Sequence, residues 1–128
     1  MIYIILLTMF FLHIVDDYYL QGILAQMKQR CWWQEHVPDE QYKNDYVMAL
    51  IEHGFSWTFM IHIPFFLMVI FGGYQIHWTF PVFTFFWNWI CHSIIDHMKA
   101  NIGCINLVED QIVHIVQTIL TWGILFVR

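Results

Sequence analysis

Four stretches of this chain, residues 2–27, 46–71, 78–100 and 105–127, are each long and apolar enough to cross a bilayer as a helix. Nothing else in the sequence limits the fold as tightly. A helix needs about 20 residues to traverse the hydrocarbon, and a few polar residues within the span are tolerated. Spanning strands are a poor match, because the apolar runs do not alternate over segments of about ten residues. Twelve Phe, seven Trp and six Tyr among 128 residues exceed what one small aqueous core can bury, whereas lipid accepts apolar surface on every side of a helix. With 59% hydrophobic and 12% charged residues and a mean hydropathy of +0.55, the composition is that of a membrane protein. The expected architecture is all-α: a single domain over residues 1–128, a four-helix transmembrane bundle running up-down-up-down.

The connection at residues 28–45 is the only sizeable polar stretch, mixing Lys28, Arg30 and Lys43 with Glu35, Asp39, Glu40 and Asp45. A second, tight turn near Gly72-Gly73-Tyr74-Gln75 carries no charge, and a third, around Asn101-Ile102-Gly103, follows Lys99. Counting Lys and Arg alone, the positive-inside rule makes loop 28–45 cytoplasmic and both termini non-cytoplasmic, with Arg128 opposing slightly. The expected location is the cell (inner) membrane, multi-pass. The run at residues 2–15 lacks a basic leader and a small-residue cleavage site, so it reads as a retained helix. A net charge of −5 without a Lys/Arg run gives no electrostatic footprint for nucleic acid. Cys31, Cys91 and Cys104 are widely spaced and read as reduced. Trp32, Trp33, Trp78 and Trp122 fall near helix ends, where indoles favour the membrane interface. Pro81 fits a first helical turn, and Pro64 is expected to kink the second span.

Each ionisable group at membrane depth costs about 2.5–3.5 kcal/mol on insertion scales, so each needs a partner or a purpose. Helix one holds His13, Asp17 and Gln21 at i, i+4, i+8, with Asp16 beside them; helix two holds Glu52-His53. Helix three holds Asn88, His92, Asp96 and Lys99, and helix four Asp110-Gln111, His114 and Gln117. Spacings of three and four put side chains on one helical face. In an up-down-up-down bundle these clusters also share one depth, in the half nearer loops one and three. Four imidazoles and three carboxylates (His13, Asp17, His53, His92, Asp96, Asp110 and His114) would bury a formal charge near −3, which argues for a bound cation. Neutral imidazole and carboxylate are the usual ligands of zinc, iron and manganese, and bundles build one- or two-metal sites from such pairs. One or two divalent ions are expected, zinc first, with the seven residues as ligands or as carboxylate–histidine supports. A structural salt-bridge network is the competing reading, although Lys99 neutralises only one of the three carboxylates. His62 and His77 read as interhelical or interfacial residues, and His36 and His97 as bystanders.

The order HxxxDYxxQ at His13–Gln21, His53, HxxxDxxK at His92–Lys99 and DQxxH at Asp110–His114 resembles a family of small bacterial and phage integral membrane proteins classed as a domain of unknown function. The resemblance covers essentially the whole chain and implies the residue choice rather than a reaction. From the site itself, the leading expectation is a metal-dependent hydrolase of a lipid or other membrane-associated substrate. A divalent ion would polarise a phosphoryl or carbonyl oxygen and acidify water. Asp16 or Glu52 would take the proton, and Lys99 would stabilise developing negative charge. The alternatives are a cation or proton pathway, and a non-catalytic phage or bacterial membrane protein stapled by a structural metal. Membrane lipid is the expected partner, and a homo-oligomer is compatible with the sequence.

Overall fold

The first apolar stretch is not one continuous helix. In the computed structural model, which describes residues 2–73 and 77–127, α1 (Ile2–Val15) runs into a π-helical turn at Asp16–Leu20, closed by a bond from the Gln21 amide to the Asp16 carbonyl at 3.2 Å. Gly22 then takes φ +49°, a left-handed conformation that suits glycine, and the chain resumes as α2 (Leu24–Met27). The expected single helix over residues 2–27 is therefore corrected to a helix, a wide turn and a break.

Loop 28–45 is also more structured than its composition suggests. It contains α3 (Arg30–His36) and a 3-10 turn at Glu40–Tyr42, in which the Gln41 amide donates to the Asp39 side chain. Trp33 is buried, donating its indole N–H to the Met27 carbonyl, and Lys28 is buried as well. The second apolar stretch forms α4 (Tyr46–Gly72), which continues through Pro64 and stops at Gly73, φ +60°. Of the expected second turn, Tyr74 and Gln75 lie outside the described residues, as does Arg128 of the charge argument.

The third stretch forms α5 (Thr79–His97) and passes into a second π-helical turn, Met98–Ile102, ended by Gly103 at φ +69°. Finally α6 (Leu107–Phe126) starts on a capping box: Asn106 accepts from the Val108 and Glu109 amides, and Glu109 accepts from the Asn106 amide. The fold is all-helical, with no strand among the described residues.

The four long helices form a closed ring of neighbours, α1 against α4, α4 against α5, α5 against α6 and α6 against α1. Cross-helix bonds fix their directions. Asp16 meets Ser56 and His13 meets Trp57; His62 meets Thr84 while His53 meets His92; Asn88 meets Thr121 while Lys99 meets Asp110. In each pair rising numbers on one helix meet falling numbers on the next, so neighbours are antiparallel.

Among the described residues two helical stretches, Ile2–Leu20 and Glu40–Gly72, rather than the four expected, are long and apolar enough to cross a membrane. The interior is unusual, since more buried side chains are polar or charged than apolar. The apolar core (Met9, Trp57, Ile61, Phe65, Leu125 and Phe126) extends from Trp57 to the end of the bundle away from loops one and three; the buried carboxylates lie at the other end, and Thr58, His62, Thr84, Asn88, Thr118 and Thr121 are buried between.

Candidate metal centre

The π-helical turn in the first span carries two consecutive carboxylates. Asp16 and Asp17 both face the bundle there, 1% and 7% exposed. Such turns inside helices are often found at functional sites. The second π-helical turn carries Lys99, which pairs with Asp110, and Asn101, which returns to loop one.

At the middle, His53 Nε2 lies 3.2 Å from His92 Nε2, 3.3 Å from Asp17 Oδ1 and 3.4 Å from Asp96 Oδ2. His92 Nε2 is 3.9 Å from each of the same two oxygens. A tetrahedral ion with bonds of about 2.0–2.2 Å separates its donor atoms by about 3.3–3.6 Å. The spacing around His53 is of that size. His114 Nε2 adds a second set, 3.5 Å from Asp96 Oδ1 and 3.3 Å from Asp110 Oδ1. Asp17, His53 and His92, and likewise His92, Asp96 and His114, are buried groups that could hold a metal ion. They share His92, and Asp96 turns one oxygen to each set, so they make one centre.

Part of the donor set is unpaired, while the unpaired Nδ1 atoms of His53 and His92 lie on the ring edges away from it. Asp17 Oδ1, Asp110 Oδ1 and His114 Nε2 are buried without a hydrogen-bond partner among the described residues, as are Asp16 Oδ2 and the Nδ1 atoms of His53 and His92. An orphaned buried polar atom costs about 1–3 kcal/mol. A divalent cation satisfies carboxylate oxygens and imidazole lone pairs together, so these residues fit one.

The remaining candidates fall around this middle. His13 is buried but commits both nitrogens elsewhere, Nδ1 accepting from the Trp57 indole at 2.6 Å and Nε2 bonded to Gln111 Oε1 at 3.1 Å. It belongs to neither ligand group. Asp110 pairs with Lys99 and accepts from Gln111 at 3.2 Å. Asp16 accepts from the Ser56 hydroxyl at 2.6 Å and turns Oδ2 toward His53 Nδ1, 3.7 Å away. Glu52 is exposed while its neighbour His53 is buried, so α4 carries Glu52 away from the centre. Gln21, on the expected stripe, folds back onto the Asp17 carbonyl.

Three contributors were absent from the sequence reading. Lys28 reaches Asp96 Oδ2 at 2.5 Å, its backbone gripped by Asn101, whose amide donates to the Lys28 carbonyl at 2.9 Å. Trp57, fully buried, stacks on His92 with centroids 4.3 Å apart. Ser56 holds Asp16. A lysine four residues before a tryptophan pair gives no periodic signal, and a tryptophan in an apolar run reads as filler. With Lys28 and Lys99 set against Asp16, Asp17, Asp96 and Asp110, neutral imidazoles leave a formal charge of −2. His62 is an interhelical residue, bonded to the Thr58 carbonyl at 2.7 Å and to Thr84 Oγ1 at 3.2 Å. The chain matches no family model, and no curated protein or solved structure is similar to it.

Proposed function

We propose that this chain is a multi-pass protein of the cell (inner) membrane, a four-helix transmembrane bundle that binds one or two divalent ions, zinc first, and hydrolyses a membrane lipid. One observation carries the metal part: buried histidine nitrogens and aspartate oxygens from α1, α4 and α5 converge at 3.2–3.9 Å.

The membrane part is supported by where the apolar side chains go. On α5, Asn88, His92 and Asp96 are buried, while Val82, Phe83, Phe86, Trp87, Ile90 and Ile94 are exposed. On α6, Asp110, His114 and Gln117 are buried, while Ile112, Val116, Ile119 and Leu120 are exposed. Both helices offer lipid an apolar outer face, and their polar residues face inward. At 19 and 20 residues and about 1.5 Å per residue, each matches a hydrocarbon layer of about 30 Å.

Hydrolysis is favoured over transport because the buried carboxylates all lie at one end of the bundle, although His62, Thr84 and Thr121 continue the polar interior part of the way beyond them. Met9, Ile61, Phe65, Leu125 and Phe126 plug the far end, and a permeation path needs polar groups through to the other side. When bound, a divalent ion supplies Lewis acidity toward a phosphoryl or carbonyl oxygen and toward water. Of the chain's own residues, Asp16 is the proposed base; its unpaired Oδ2 lies 3.7 Å from His53 Nδ1, behind the imidazole whose Nε2 faces the centre. Lys99, tied to Asp110 and 4.0 Å from Asp96, is the cation placed to meet negative charge developing on a substrate.

Elemental analysis of detergent-purified protein is the test. Stoichiometric metal in the wild type, lost in His92→Ala and Asp96→Ala, is expected; a metal-free wild type at neutral pH would remove the proposal. Incubation with a membrane-lipid extract tests the reaction, and no metal-dependent product from any lipid class counts against hydrolysis.

A further inference from the structure

Gln117 lies between His114 and the apolar half of the bundle, and its amide belongs to a chain of hydrogen bonds with a fixed direction. His114 Nδ1 and Gln117 Oε1 are 3.0 Å apart, and Gln117 Nε2 donates to Asn88 Oδ1 at 3.4 Å. Asn88 Nδ2 donates to Thr121 Oγ1 at 2.6 Å, and Thr121 donates to the Gln117 carbonyl at 2.8 Å. The last bond decides the others. A hydroxyl has one proton and a main-chain carbonyl only accepts, so Thr121 gives its proton there and must accept from Asn88. Asn88 then turns its NH2 to Thr121 and its oxygen to Gln117, which turns its own NH2 to Asn88. What is left for His114 is an amide oxygen. His114 therefore carries a proton on Nδ1, and Nε2 is the atom it presents to Asp96 and Asp110.

All four residues are buried, and His114 Nε2 has no hydrogen-bond partner among the described residues despite two carboxylate oxygens within 3.5 Å. A metal-ligating histidine typically donates its other ring N–H to an oriented acceptor, which sets both tautomer and ring plane. His13 shows the opposite arrangement. The Trp57 indole can only donate, so His13 Nδ1 accepts, and Nε2–H turns to Gln111.

We propose that Gln117, Asn88 and Thr121 form a positioning relay that holds His114 with Nδ1 protonated, so that Nε2 is its ligand atom. The ligand role of Nε2 rests on the metal reading above; the protonation of Nδ1 does not.

The two parts separate in one experiment. Protein labelled with 15N-histidine is stripped with chelator in detergent, and the His114 ring nitrogens are observed by NMR, assigned by their loss in His114→Ala. A protonated Nδ1 is expected in the wild type and in Gln117→Glu, which keeps an oxygen acceptor. Zn(II) titration should show affinity about 10–100-fold weaker in Gln117→Leu and in Asn88→Leu, and recovered in Gln117→Glu. An unprotonated Nδ1 in the wild type, or a folded Gln117→Leu that binds Zn(II) as the wild type does, would overturn the relay. A protonated Nδ1 in a wild type that binds no Zn(II) would support the relay and sink the metal reading.

Discussion

Lys28 Nζ lies 2.5 Å from Asp96 Oδ2, although the two residues are 68 positions apart and Lys28 belongs to the first connection. The ammonium rests on the oxygen that also faces His53 and His92, so it occupies the side of Asp96 that an ion would use. Lys28 and a bound dication therefore oppose each other, while both stabilise the carboxylate.

This opposition has two signs that can be measured. Lys28→Met leaves a buried carboxylate without its cation, a change that typically costs about 3–5 kcal/mol. Thermal unfolding in chelator should show that loss. In excess Zn(II) the gap to wild type should narrow, because the ion takes over the pairing and no longer competes with the ammonium. A variant as stable as the wild type in chelator, or one with weaker Zn(II) affinity, contradicts the arrangement.

The contrast between Lys28 and Asp96 also shows what the sequence could reveal. Asp96 was legible because His92 and Lys99 stand four and three residues from it, and that spacing survives in α5 and the turn after it. Lys28 was not, because nothing local tells a loop lysine from one that a distant asparagine will draw inward. The inward turn of Asp16 was hidden for another reason. The i, i+4, i+8 stripe selected Asp17 with His13 and Gln21 and left Asp16 beside them, yet both aspartates are buried. His13 stood correctly on the polar face, but its commitment to Trp57 depends on a residue that the apolar pattern treats as filler. The same pattern gave α4, α5 and α6 well, but it read the first stretch as one helix, and among the described residues only Ile2–Leu20 and Glu40–Gly72 are long and apolar enough to cross a membrane.

Proton competition gives a prediction with a definite sign. Ligating imidazoles bind an ion only when deprotonated, and an ordinary imidazole has a pKa of about 6.5. Lowering the pH from 7.5 to 5.5 should therefore weaken Zn(II) binding by more than about 100-fold if at least two imidazoles release protons. Isothermal titration in detergent at the two pH values measures it. An affinity independent of pH across that range would mean that no ligating imidazole takes up a proton there.

Topology can be read from the chain's own cysteines. Cys31 and Cys104 are exposed, one in α3 and the other just after Gly103, and both lie at the end of the bundle that holds Lys28 and Lys99. In the proposed membrane orientation, that end faces the cytoplasm. A membrane-impermeant maleimide should label both in inverted vesicles and neither in intact spheroplasts, using a Cys91→Ala background. Labelling from outside would reverse the orientation, and labelling of one residue from each side would break the four-span arrangement.

The approach of α4 to α5 is set beside the centre by Gly54, next to His53 and across from Ser93. A Cβ on Gly54 would stand 2.2 Å from Ser93 Oγ, 3.2 Å from the Trp89 carbonyl oxygen and 3.3 Å from Trp89 Cδ1. Close packing on a small residue is a common way for membrane helices to associate. Gly54→Ala forces Ser93 out of the conformation in which it bonds to the Leu50 and Trp89 carbonyls, and it also moves α5 outward by a few tenths of an ångström. Overpacking of this kind costs about 1–3 kcal/mol. Since His92 rides on α5 and His53 on α4, their 3.2 Å separation opens too, and Zn(II) affinity should fall with stability. Adding Ser93→Ala removes the nearest clash but not the one with the Trp89 backbone, so the double variant should recover only part of both losses. Unfolding and titration of the two variants measure this, and a Gly54→Ala protein with wild-type stability and affinity would show that the helix contact does not set the geometry of the centre.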